Sequence, residues 1–209
     1  MPAELLHLVR HGEVENPTGI LYGRIPGYGL SARGAEMAGL AAEALAGRPV
    51  TSLVASPLQR TQESAAPFAA AFGLPITIDE RIIEPWNVFE GTKMREAVRH
   101  PSNWKYLLRP RVPSWGEPYT AVRDRVLAAM GDAWDAVDDG EVVLVSHQMP
   151  IVMVARSVKH LKLYHDPRKR RCTLSSITTL RREGDAFVEV NYQDPAKDLL
   201  AASVDFGAV

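Results

Sequence analysis

The sequence predicts a three-layer α/β sandwich, with helices on both sides of a mainly parallel sheet. Three observations carry this expectation. Leu5–Val9, Ser52–Ala55 and Val142–Val145 are short, almost wholly apolar runs, the pattern of strands buried on both faces. Each is followed by a helical pattern, and repeated strand–helix units build parallel sheets. No disulfide framework competes with this reading. The 209 residues include one cysteine, Cys172, and a chain of this length buries a core without covalent staples.

The elements follow in order. Ala32–Ala46 is Ala-rich, with Leu40 and Leu45 on an apolar face. Pro57–Phe72 reads as a helix with Ser56 as its N-cap and Pro57 at the first helical position. Val122, Val126, Ala129, Met130 and Ala133 recur at helical spacing within Tyr119–Val137. Met149–Val158 follows the third strand. Thr173–Leu180 and Phe187–Tyr192 read as late strands on either side of the turn Glu183-Gly184-Asp185. Residues 84–116 are rich in Pro and Trp and only patchily helical. They form an expected insertion over one end of the sheet, within a single domain spanning 1–209. Trp86, Trp104 and Trp115 in that insertion either pack or line a substrate mouth.

Composition narrows the function classes. Lys and Arg total 24 against 25 Asp and Glu, a formal net charge of −1, which argues against a general nucleic-acid binder while allowing a local positive pocket. The 46% hydrophobic and 23% charged shares are those of an ordinary globular protein. No apolar run approaches the roughly 18 residues of a membrane span. Met1-Pro2-Ala3-Glu4 lacks a basic n-region and the apolar stretch after it is short. A cytoplasmic location is the expectation, and the oligomeric state is left open, a homodimer included.

Ligands of open α/β sheets bind beyond the carboxyl ends of the strands. Arg10-His11-Gly12-Glu13 follows the first strand, Ser56-Pro57-Leu58-Gln59-Arg60-Thr61 the second, and Ser146-His147-Gln148 the third. Arg10, His11, Arg60 and His147 are thereby delivered to one edge. Two arginines and two histidines in a small volume describe a site for a phosphate-sized anion, because the guanidinium fork matches phosphate oxygens. Arg60 also falls in the first turn of a helix, whose amino end favours anions. The run Arg168-Lys169-Arg170-Arg171 is either a solvated loop or a contact for an anionic tail or partner. His7 lies inside the first strand and reads as structural.

These motifs, in this order, resemble the histidine phosphatase superfamily, also called phosphoglycerate-mutase-like. Asp79-Glu80-Arg81-Ile82-Ile83-Glu84 and Phe89-Glu90-Gly91 resemble that family's acid segment; Gly116-Glu117 leading to Arg125 and Leu30-Ser31-Ala32-Arg33-Gly34 also fit. The resemblance spans Leu5 to about Leu180 and implies a phosphoglycerate-mutase-like sandwich. It implies His11 as nucleophile, Arg10, Arg60 and His147 as phosphoryl ligands, and Glu84 as proton donor, with Glu90 as the rival acid. It further implies Asn16, Gly23, Arg24 and Gln148 as substrate-binding positions, a small phosphorylated metabolite as substrate, and neither cofactor nor metal. Gln148 stands where the family often has Gly, and Pro26-Gly27-Tyr28-Gly29-Leu30 departs from its usual turn. The compact chain favours a phosphatase. A phosphoglycerate mutase and a non-catalytic phosphate-binding regulator are the competing readings.

Overall fold

The computed structural model describes residues 3–107, 113 and 115–205. Strands β1 (Leu5–Arg10), β2 (Val50–Ala55), β3 (Thr77–Ile78), β4 (Glu141–Ser146), β5 (Ile177–Glu183) and β6 (Ala186–Gln193) form one sheet in the order β3-β2-β4-β1-β5-β6. The first four run parallel; β5 is antiparallel to β1, and β6 to β5. The α-helices of the described residues are α1 (Ala32–Glu43), α2 (Gln59–Phe72), α3 (Met94–Ala97), α4 (Trp104–Leu107), α5 (Tyr119–Asp135), α6 (Gln148–Val158) and α7 (Lys197–Leu200).

The strand period of two sorts the core into two layers. Leu6, Leu8, Val142 and Leu144 pack with Val122, Val126 and Met130 of α5 and Ile151 of α6. Val9, Leu53, Val143 and Val145 pack on the other side with Ala41 of α1 and Phe68 of α2. The apolar runs lie between helices on both faces, which explains their lack of polar alternation. The fold is therefore the α/β sandwich that the sequence predicts, with a mixed, mainly parallel sheet.

Three local expectations are corrected. Helix α2 begins at Gln59, not Pro57, with Leu58 at the cap position and no side-chain cap bond. Ser56 is not the cap because its Oγ lies 2.7 Å from His147 Nε2. The late strand begins at Ile177 rather than Thr173. Residues before it turn instead: Ser175 has φ 55° and its N–H donates to His11 O at 3.2 Å. The edge strand β3 is two exposed residues long, too short to leave a periodic signal.

Residues 84–116 contain α3 and α4, and an antiparallel bridge between Asn87 and Gly116 closes their neck. Phe89 and Ala97 bury themselves against Leu21, with Tyr106 and Trp115 packed around them. His7, inside β1, is structural in its contacts: Nε2 lies 2.8 Å from Glu141 Oε2 and Nδ1 3.0 Å from Thr179 Oγ1.

The turn after β1 depends on two backbones touching. A Cβ on Gly12 would sit 2.3 Å from Gly34 O, and one on Gly34 would sit 2.0 Å from Glu13 O. Neither carbonyl can move without shifting the start of α1. Gly12→Ala is expected to destabilise the fold by about 1–3 kcal/mol through overpacking, read as a lower urea midpoint. An unchanged midpoint would show that the two segments separate freely.

Candidate active site

Strand register brings the two histidines together. Arg10 pairs with Ser146 across β1 and β4, so the next residue of each strand leaves the sheet beside the other. His11 N–H donates to Ser146 O at 3.1 Å, and the His11 and His147 ring centroids are 5.2 Å apart with planes at 64°. His11 Nδ1 lies 2.8 Å from Gly12 O. A carbonyl oxygen only accepts, so Nδ1 carries the proton and Nε2 presents its lone pair.

Each arginine is held by fixed partners. Arg60 is the second residue of α2. Its Nη2 donates to Gly23 O at 2.8 Å, and its guanidinium lies over Tyr22, 4.8 Å from the ring centroid. Ser64 Oγ donates to Arg60 O at 2.7 Å and accepts from Gly12 N at 3.1 Å, tying α2 to the turn after β1. Arg10 Nη1 donates to Cys172 O at 2.7 Å. The Asp205 carboxylate accepts from Nη1 and Nη2 of Arg10 at 2.7 and 2.6 Å.

Glu84 is placed by its backbone. Arg24 Nε donates to Glu84 O at 2.6 Å, and Glu117 binds both Arg24 and Arg125. The carboxylate reaches within 3.9 Å of His147 Nδ1. Arg10, His11, Tyr22, Arg60, Glu84 and Gln148 line a small cavity. Four buried polar atoms around His11, namely Arg10 Nε, Arg60 Nε, Glu84 Oε1 and His147 Nδ1, have no hydrogen-bond partner among the described residues. Buried polar groups are nearly always paired, so a cluster of four marks a ligand site.

Burial and charge set the protonation states. Burial, reinforced by Arg60 and Arg10, holds the His11 imidazole well below its ordinary pKa. Burial does the same for His147, with Arg60, His11 and Arg10 adding to it. Both rings are therefore neutral at pH 7. Glu84 moves the other way: burial pushes its carboxyl up to about 7, against the opposing pull of Arg60 and Arg10. A carboxyl poised there both gives and takes a proton near neutrality.

The structure gathers Arg10, His11, Arg60, Glu84, His147, Gly23 and Gln148 in one place. It does not bring Asn16 or Arg24 to the cavity wall. The Asn16 amide donates to Ile20 O and its Oδ1 accepts from Gly19 N, closing its own loop. Arg24 supports the Glu84 backbone. Glu90 accepts from Asn87 N at 3.2 Å and packs so closely that a Cβ on Gly23 would meet its Oε1 at 2.2 Å. The basic run divides. Arg168 pairs with Asp166 on the exposed side, and Arg171 stacks on Tyr192. Arg170 turns inward, its Nη1 donating to Gln148 Oε1 at 2.9 Å and its Nε lying 2.9 Å from His165 Nε2. Trp86 and Trp115 line an adjoining pocket beside Glu84, with Pro85, Tyr119 and Met149. Trp104 is exposed. Sequence reasoning missed Tyr22 as a platform for Arg60, Ser64 as a tie and Ser56 as a partner of His147. The adjacency of Ser56 to the Arg60 motif was the one available signal.

Comparison with known proteins bears on the family and the fold. The chain is 48% identical over 200 residues to the uncharacterized protein Rv0525 of Mycobacterium tuberculosis, covering 94% of this chain and 99% of that one. The structure of mycobacterial glucosyl-3-phosphoglycerate phosphatase Rv2419c superposes with a TM-score of 0.70 at 25% identity, covering 91% and 96% of the two chains. Phosphoserine phosphatase of Entamoeba histolytica, as a mutant in complex with phosphoserine, shares the fold with a TM-score of 0.76 at 21% identity, covering 94% and 99%. The family model for the histidine phosphatase superfamily (branch 1) matches residues 6–195. The chain belongs to the histidine phosphatase superfamily, branch 1.

Proposed function

We propose that this protein hydrolyses the phosphomonoester of a small phosphorylated metabolite through a phosphohistidine at His11. The observation that carries the reading is the set of four buried polar atoms, on Arg10, Arg60, Glu84 and His147, that have no hydrogen-bond partner among the described residues and that surround His11. The named substrates of the neighbouring phosphatases, glucosyl-3-phosphoglycerate and phosphoserine, support the substrate class.

In the first step His11 Nε2 attacks phosphorus and a P–N bond forms. The ester P–O bond breaks, and the leaving oxygen takes the proton of the Glu84 carboxyl. Arg10 and Arg60 hold the equatorial oxygens. His147 adds a donor if Ser56 Oγ–H donates to its Nε2, leaving the proton on Nδ1. Such positioning plus electrostatics is most of what phosphoryl transfer requires. In the second step water attacks phosphorus and its proton passes to the Glu84 carboxylate. The P–N bond breaks, phosphate leaves, and His11 and Glu84 return to their starting states. Trp86, Trp115 and Met149 beside Glu84 offer the leaving alcohol an apolar wall.

Four outcomes are expected. His11→Ala lowers release of phosphate from an aryl phosphate by at least about 10³-fold, as loss of a nucleophile does; wild-type turnover in that variant contradicts the covalent route. Glu84→Gln slows alkyl phosphates by about 10²–10⁴-fold and aryl phosphates with good leaving groups far less; equal slowing removes Glu84 as proton donor. The first step needs Glu84 protonated, so kcat/KM for alkyl phosphates declines as pH rises through about 7 and that limb disappears in Glu84→Gln. On 3-phosphoglycerate, the enzyme releases phosphate whether or not a bisphosphate primer is present. Primer-dependent isomerisation without phosphate release identifies a mutase instead.

A further inference from the structure

The Arg-His-Gly-Glu motif ends on an acid that the chemistry above does not use. Glu13 is buried. Its Oε2 accepts from Ser31 Oγ at 2.6 Å and Arg33 pairs with it, while its Oε1 accepts the Val204 N–H at 2.7 Å. Glu13 thus fastens the chain's last described segment 191 residues away. Helix α7 holds the same segment from behind: Leu199 and Leu200 pack against Met37 and Leu174. The residue after Val204 is Asp205, which reaches the Arg10 side chain.

The five N–H groups of Arg10 divide by edge. One Nη1 hydrogen goes to Cys172 O; Asp205 takes the other and one hydrogen of Nη2, at 2.7 and 2.6 Å. This is the end-on fork of a guanidinium with a carboxylate. The Nε hydrogen and the second Nη2 hydrogen remain, and they lie parallel on the side-on edge. Nε is buried with no partner among the described residues. Arg10 lines the cavity beside His11.

We propose that Asp205 is a positioning residue that grips the end-on edge of Arg10, so that its side-on edge is presented as a two-donor fork to the phosphoryl group. Glu13 and α7 set the reach of the tail that carries Asp205. The arrangement resembles the carboxylate that fixes a ligating histidine from its far side: the partner orients the group and never touches the substrate. A carboxylate on the far edge also lessens the net positive charge at the cavity. Its effect on anion affinity therefore separates two roles. Positioning raises affinity, whereas a plug or electrostatic brake lowers it.

The role rests on the reading of Arg10 as a phosphoryl ligand, so the experiment uses inorganic phosphate and equilibrium binding, which need no turnover. Isothermal titration of the whole protein with phosphate is compared among wild type, Asp205→Ala, Asp205→Asn and Asp205→Glu, with thermal unfolding run in parallel. Asp205→Ala is expected to weaken phosphate binding by about 10-fold, the loss of one well-oriented charged hydrogen bond. Asp205→Asn falls between, and Asp205→Glu recovers part of the loss. In an Arg10→Lys background, which lacks the fork, Asp205→Ala changes affinity no further. Unchanged or tighter binding in Asp205→Ala overturns the proposal, tighter binding identifying a brake. An equal loss in the Arg10→Lys background also overturns it, because the tail then acts on folding generally. A wild-type protein that binds phosphate without hydrolysing esters defeats the proposed function and leaves the role of Asp205 standing or falling on its own arms.

Discussion

The site depends on the pairing of β1 with β4. Because Arg10 lies opposite Ser146 in a parallel register, His11 and His147 leave the sheet together, and all other parts are hung around that pair. A shift of one residue would send one histidine to the opposite face. The register is held by a core in which Leu6, Leu8, Val142 and Leu144 are inaccessible to solvent on one side and Val143 and Val145 on the other. Packing on both faces of the sheet thus fixes the spacing of the histidine pair.

Burial then does the electrochemical part. The same exclusion of water that keeps His11 and His147 neutral lifts the Glu84 carboxyl to about 7. In the proposed mechanism, nucleophile and acid therefore coexist in their working states. A solvated site with the same residues would hold a carboxylate where an acid is needed. The arginines oppose the lift of Glu84, yet they are what an incoming dianion requires. Their side chains are kept at fixed edges by carbonyls and by Asp205, which confines their effect to chosen directions.

The sandwich and the convergence of Arg10, His11, Arg60 and His147 were legible because each sits in the segment that follows a short apolar run, and strand ends in such sheets converge. Glu84 was legible through the resemblance, and its neck of Gly116 and Glu117 fell in place around it. What could not be read was the choice of long-range polar partners. Ser56 has the form of a helix cap, but a histidine 91 residues later claims its hydroxyl. Arg170 sits in a run that reads as solvated, but Gln148 turns it inward. Asn16 has the right residue type, and its own loop consumes the amide. Asp205 has no local pattern at all, because its meaning comes from Arg10 at the other end of the chain.

The central claim is that phosphorus passes through His11. Acid-labile, base-stable phosphoenzyme is sought by rapid quench of the protein turning over a phosphomonoester, followed by peptide mapping under alkaline conditions. The account predicts one phosphoryl group on the peptide carrying His11, present during turnover, lost as substrate is exhausted, and absent from His11→Ala. Turnover with no phosphohistidine, or with the phosphoryl group on another residue, would contradict it.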